Sequence, residues 1–164
     1  MLGVDLLMTA DRIKCMSDRP KGFVKRYQEK MKSLGRECPF LLVITFVLPW
    51  GSFIAYFAAR HGGSSPSTGD AMYDAFLNKF LTGDDEFRNS RLKIIPRCVE
   101  GPWVVKQAVK GRPAVIGTKM AVNYHVRPGS FEIEADVCAS ATARGILSCV
   151  KSNTGLVDLC LMKI

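Results

Sequence analysis

The sequence holds two histidines and two tryptophans in 164 residues. His61 stands in a Gly/Ser-rich loop and His125 in an alternating, strand-like run, so neither sits at ligand spacing from a cysteine. The six cysteines, at positions 15, 38, 98, 138, 149 and 160, form no Cys-x-x-Cys. These absences argue against zinc ribbons, zinc fingers and metalloprotease sites, which need Cys or His at short fixed intervals. Nor is there a phosphate-cradling P-loop, a Gly-x-Gly-x-x-Gly after a strand, a His-Glu-x-x-His or a nucleophile elbow. An enzyme is therefore the least favoured class; no catalytic residue, metal or cofactor is assigned. There is also no Asn-x-Ser/Thr acceptor and no cleavable signal pattern at the N-terminus. A cytoplasmic protein with reduced, buried cysteines is the expectation, a disulfide framework the alternative.

Acidic residues are the scarcer charge, 15 Asp and Glu against 23 Lys and Arg, which gives a net charge of +8. A surplus of this size suits an anionic partner (a membrane surface, a lipid headgroup or nucleic acid), although it also serves solubility. Nucleic acid is not expected, because no recognition signature interleaves aromatics with the basic residues. Charge of either sign is missing from Pro39 to Ala59, a run long enough to cross a bilayer. Pro49-Trp50-Gly51 breaks it in the middle, and its flanks are rich in Val, Ile, Phe and Tyr. Two buried strands, at about 40–48 and 52–59, fit it better than a transmembrane helix.

What remains reads as one domain over 1–164. Apolar residues make up 48% and charged residues 23%, enough for a real core. Residues 2–13 read as a short strand and a turn, and so abrupt a start leads us to expect a domain incomplete at its N-terminus. Asp18 and Pro20 suit a helix start. Phe23, Tyr27, Met31 and Leu34 follow at helical spacing, with Gly35 as the stop. The other face of that helix is basic, and Lys21, Lys25, Arg26, Lys30 and Lys32 are its candidate membrane contacts. A helix packed on a sheet with a solvated Lys/Arg face is the favoured alternative. HGGSSPSTGD at 61–70 is a surface loop in which Asp70 can cap a second helix ending at Thr82-Gly83.

The stretch 84–126 departs furthest from generic composition. An acidic loop leads into a segment where Asn89 and Ser90 can tie down backbone. Arg88 and Arg91 either face outward there or pair with Asp84, Asp85 or Glu86. A hairpin follows, 120–126 and 131–137, turned by Arg127-Pro128-Gly129-Ser130. Pairing Val126 with Phe131 collects the apolar residues on one face and sets His125 across from Glu132 on the other. Glu132, Glu134 and Asp136 could suggest acid/base work, but carboxylates on a strand usually face water, which is the favoured reading. A helix over about 140–161 is expected to close the chain. Arg144, Lys151 and Asp158 form one of its stripes, and Cys138, Cys149 and Cys160 return to one face as a core seam.

FLTGDDEFRNSRLKIIPRCVEGPWVVKQAV, PAVIGTKMAVNYHV, FEIEADV and SATARGILSCV, in this order and spacing, resemble the C-terminal domain family of the plant Enhanced Disease Resistance 2 protein. The N-terminal VDLL and KGFVKRYQ are similar to the middle of the same domain. On that resemblance we expect the chain to lack the family's first strand and a preceding pleckstrin-homology or lipid-transfer domain. The resemblance implies proteins linked to lipid binding and to negative regulation of defence and cell death, without an established reaction. It transfers no catalytic residue.

The expected fold is α+β, an antiparallel β-sheet packed against a long C-terminal helix, by analogy with a START-like helix-grip. In that arrangement Arg88, Arg91, Lys93 and Arg97 stand at the mouth of a pocket whose interior Trp103 and Tyr124 line. For each singly, a solvated edge or a plain core position is the favoured alternative. The expected function is a non-catalytic lipid- or membrane-binding module, peripheral on an anionic membrane. The alternative is a domain that binds a protein partner.

Overall fold

In a computed structural model of the protein, the residues described are 1–9, 11–61, 63, 65–95, 97–98, 103, 107, 114–139, 144 and 159–160. The fold class is α+β. Contacts divide the chain into two units, Met1–Asp84 with Asn123–Ala135, and Asp85–Val122 with Asp136–Ile164.

The first unit is organised by a five-stranded sheet. Strand β1 (Gly3–Leu7) leads through a 3-10 turn at Met16–Asp18 to helix α1 (Phe23–Ser33). The uncharged run folds as β2 (Leu41–Leu48) and β3 (Gly51–Ala58), paired antiparallel from Leu41↔Ala58 to Leu48↔Gly51 with Pro49-Trp50 as the turn. It is a hairpin, and no helix among the described residues is long and apolar enough to cross a membrane. Helix α2 (Ala71–Thr82) starts where expected, since the Asp70 carboxylate accepts from the Met72 and Tyr73 N–H groups.

The second unit contributes helix α3 (Asp85–Arg91), in place of the acidic loop read from the sequence, and strands β4 (Lys93–Ile94), β5 (Arg97–Cys98) and β6 (Ala114–Val115). Strand β4 pairs antiparallel with β6, and Leu92, Ile94 and Ile116 are its buried apolar residues. The predicted hairpin is β7 (Val122–Arg127) and β8 (Ser130–Asp136), with Gly129 in the left-handed region at φ 70°. The Asp136 N–H donates to the Ala121 carbonyl, as the register pairing Val126 with Phe131 requires. Strand β9 (Leu159–Cys160) pairs with β5. The helix expected over 140–161 therefore does not reach its predicted end. Apart from Arg144, the remainder of that expectation lies outside the described residues, as do Lys151, Asp158 and Cys149.

Strand order is β1-β3-β2-β8-β7. The sheet is mixed rather than antiparallel throughout. The Leu41 N–H donates to the Gly129 carbonyl at 2.9 Å, so β2 and β8 start from the same end. On one face Val43, Ile54 and Tyr56 form a core with Met16 and Val24. Phe23 of α1 stacks on Tyr56 with ring centroids 4.3 Å apart. On the other face Phe80 of α2 is buried edge-on to Phe131 and Tyr124, at 5.9 and 6.2 Å. Strand β8, flanked by β2 and β7, is covered on both sides.

Helix α1 begins later than its sequence suggests. Its N-cap is Gly22, without a side-chain cap, instead of Asp18. Asp18 is engaged elsewhere: its Oδ2 accepts from Arg127 Nε and Nη2 at 2.8 and 2.6 Å. The C-terminal stop is as read. Gly35 is left-handed at φ 63° and the Arg36 N–H returns to the Met31 carbonyl, closing a Schellman turn.

Gly51 answers to a close approach. A Cβ there would collide with the carbonyl oxygen of Leu7, where β1 ends against the β2–β3 turn. Gly51→Ala should lower stability by about 2–3 kcal/mol, measured as a shifted urea midpoint. An unchanged midpoint would show that β1 is not held this closely.

Candidate functional site

The charged cluster that the fold draws inward is the one expected to face water. Glu132 and Glu134 are 0% and 1% exposed, which corrects the solvated reading of the β8 carboxylates. Alternation does put them on the face opposite Phe131, Ile133 and Ala135. That face is covered by the segment between β1 and α1, which comes from more than 100 residues away in sequence.

Four donors converge on Glu132. Oε1 accepts from the Met16 N–H at 2.9 Å and the Thr45 hydroxyl at 2.9 Å; Oε2 accepts from the Ser17 N–H and the Ser17 hydroxyl, both at 2.8 Å. Hydrogen bonds to a carboxylate in a dry site are stronger than neutral ones, and four of them offset the cost of burying it. Glu134 is held by Arg12 Nη2 at 2.8 Å and Asn123 Nδ2 at 3.1 Å, both on Oε1. His125 Nε2 stands 3.6 Å from Oε2, so the histidine meets Glu134 and not the Glu132 directly across from it. Burial pushes the Glu134 carboxyl up, but the bonds from Arg12 and Asn123 outweigh it and hold the group below its ordinary value.

Cys15 lies beside this clasp in a left-handed conformation, φ 54°. Burial, then the neighbouring Glu132, then the hydrogen bond to Asp18 push its thiol up to about 12. It therefore stays protonated at neutral pH and is no nucleophile. Cys15, Cys38 and Cys138 are free thiols. Among the described residues no three His, Cys, Asp or Glu gather as a metal site. The arrangement is suited to fastening the segment 12–17 to the sheet.

The five basic candidates are a different case: Lys25, Arg26, Lys30 and Lys32 lie on α1, and Lys21 stands just before its Gly22 N-cap. Lys21, Lys25, Arg26, Lys30 and Lys32 are all exposed, and none of them forms an ion pair among the described residues. Lys14, Arg19 and Arg36 are exposed as well. Phe23, Val24 and Tyr27 on the same helix pack into the core. Leu34, at the end of the helix, is an exposed apolar residue at 56%.

The candidates at the expected pocket mouth are dispersed in role. Arg88 is buried, with Nη1 2.8 Å from Asp85 one turn earlier in α3. Arg91 lies over the Phe87 ring, 5.6 Å from its centroid. Lys93 is exposed on β4 opposite Val115, and Arg97 is in β5 opposite Cys160. Trp103 is 74% exposed, and Tyr124 is half-buried in the aromatic cluster with Phe80 and Phe131. The sequence reading missed the Glu132 clasp. Its one local signal is a pair of acids in a strand whose neighbours Phe131, Ile133 and Ala135 are all apolar.

Each oxygen of Glu132 takes one backbone N–H. Glutamine, although isosteric, must therefore turn its NH2 against a backbone donor whichever way it flips. Glu132→Gln should cost about 2–4 kcal/mol, read from urea denaturation; a loss under about 0.5 kcal/mol would contradict the clasp. Glu134 adds a pH dependence. Its folded value is depressed, so its contribution is present above the unfolded value of 4.5 and is lost as pH falls through the folded one. The wild-type urea midpoint should fall from neutral pH into that acid range, and Glu134→Gln should show a shallower fall from a lower start. Equal slopes would contradict it.

Comparisons with known proteins bear on the whole chain. The family profile for the C-terminal region of Protein ENHANCED DISEASE RESISTANCE 2 matches residues 1–162. An Arabidopsis thaliana protein, "Protein ENHANCED DISEASE RESISTANCE 2-like", is 40% identical over 83 residues, which is 51% of this chain and 12% of that protein. The matched stretch is thus a small part of that relative. No solved structure matches.

Proposed function

The chain belongs to the Enhanced Disease Resistance 2 C-terminal family, and on that premise we propose that it is a non-catalytic regulatory module that adsorbs to anionic membranes through α1. The observation that carries this reading is the division of labour on the helix. Its apolar side is committed to the sheet, and Lys21, Lys25, Arg26, Lys30 and Lys32 are left exposed and without ion pairs among the described residues.

A helix so anchored lies on the headgroup layer through charge and does not bury a hydrophobic face in the bilayer. Each cation near an anionic leaflet contributes about 1 kcal/mol. Five give about 5 kcal/mol, a partition constant on the order of 10³–10⁴ M⁻¹. Binding of that strength is reversible and salt-sensitive, and suits a module that adds to the affinity of a larger protein. The protein would be cytoplasmic and peripheral. A lipid pocket of the START-like kind is a further proposal; it needs a helix within 140–158, of which the structure describes only Arg144.

Vesicle flotation tests the reading. The protein should float with phosphatidylserine-containing vesicles at low salt, less at moderate salt, and not with phosphatidylcholine alone. Reversing Lys25, Arg26 and Lys30 to Glu should weaken binding by more than about 100-fold. Equal behaviour on both lipids would overturn it in favour of the protein-binding alternative. The Arg88→Ala/Arg91→Ala variant should lose about 3–10 °C in Tm and keep vesicle binding. Loss of binding with Tm unchanged would move the headgroup site to those arginines.

A further inference from the structure

Of the eight prolines, Pro66 alone follows a hydroxyl residue, Ser65. The two lie in the loop between β3 and α2, closed at its neck by an antiparallel bridge between His61 and Ser67. The two hydroxyls that follow, Ser67 and Thr68, are committed. Ser67 Oγ donates to Asp74 Oδ2 at 2.7 Å, and Thr68 Oγ1 donates to Asp74 Oδ1 at 2.6 Å, with the Thr68 N–H on the same oxygen at 2.6 Å. Ser65 is exposed, and its hydroxyl makes no hydrogen bond among the described residues. The proline keeps the residue before it extended and removes the next backbone donor. A kinase cleft can therefore take up the Ser-Pro dipeptide without breaking a helix or a sheet.

The loop has a defined neighbour. The Phe40 N–H donates to the Gly63 carbonyl at 2.7 Å. Gly63, left-handed at φ 56°, packs so closely on Glu37 that a Cβ there would lie 2.8 Å from the Glu37 carboxyl carbon. The loop that carries Ser65 is thus tied through Gly63 to the segment that follows α1, in which Arg36 is exposed.

We propose that Ser65 is a phosphate acceptor for a proline-directed serine/threonine kinase, and that the phosphate weakens adsorption through α1. The second clause rests on the membrane reading above. In the transfer, Ser65 Oγ bonds to the γ-phosphorus of Mg-ATP, and the bond from that phosphorus to the β,γ-bridging oxygen breaks. ADP leaves, and the hydroxyl proton passes to the kinase's catalytic carboxylate. The product adds about −1.5 to −2 charges to a loop that is hydrogen-bonded to the segment following the basic helix. Two cations' worth of attraction is offset, a decrease in vesicle binding of about 10- to 30-fold.

The test treats the full chain with a purified proline-directed kinase and Mg-ATP and reads the intact mass. Wild type should gain one phosphate, and Ser65→Ala and Pro66→Ala should gain none while keeping wild-type Tm. No gain in wild type, or an equal gain in Ser65→Ala, overturns the acceptor assignment. The stoichiometrically phosphorylated protein is then floated on phosphatidylserine vesicles beside the unmodified one. Reduced binding supports the regulatory clause, and equal binding overturns it. If the unmodified protein does not float, the membrane reading fails and takes this clause with it, while the mass measurement decides the acceptor on its own.

Discussion

The first unit depends on one buried carboxylate. From the middle of β8, Glu132 gathers two backbone N–H groups and two hydroxyls from two separate places, the 3-10 turn at Met16–Asp18 and β2. The segment 12–17 has a mixed sequence, with Ile13 and Met16 packed on the apolar core and Cys15 buried beside them. Its docking is therefore polar, with Arg12 on Glu134 at one end and Asp18 on Arg127 at the other. Breaking such a network leaves buried donors unpaired, which costs more than the net worth of any single bond in it. The segment is also the entry to α1, so the clasp helps set where the basic helix lies.

That placement lets one helix pack on the core and leave its cations exposed. Phe23 and Val24 enter the core beside Tyr56 and Met16, and Tyr27 follows one turn later. Every cation on α1 then points away from the sheet by helical geometry alone. A free amphipathic helix could trade its apolar face between core and bilayer. This one would first have to expose the Phe23–Tyr56 stack, so the membrane contact proposed for it would be electrostatic.

Much of this was legible from local pattern. The break at Pro49-Trp50-Gly51 gave both strands of the β2–β3 hairpin, the Pro128-Gly129 turn gave the β7–β8 register, and Asp70, Gly35 and Gly83 marked helix ends through their cap chemistry. What failed did so through long-range competition. Alternation told which face Glu132 and Glu134 occupy but not that residues 115–122 positions upstream would cover it. Asp18 has the chemistry of an N-cap, yet Arg127, 109 residues on, takes its carboxylate. The acids at 84–86 read as a loop because Asp and Glu suit both loops and first helical turns. Pairing with Arg88 selects the helix. Among the site candidates, the exposure of the α1 cations followed from helical periodicity, whereas Arg88 is buried by the packing around α3.

The central claim is that α1 meets an anionic surface while its apolar side stays in the core. Amide hydrogen exchange of the full chain, with and without phosphatidylserine vesicles, tests it most directly. The backbone of Phe23–Ser33 should keep or gain protection on the vesicles, with β2, β3 and β8 unchanged. Faster exchange in that helix, or new protection confined to other elements, would contradict it.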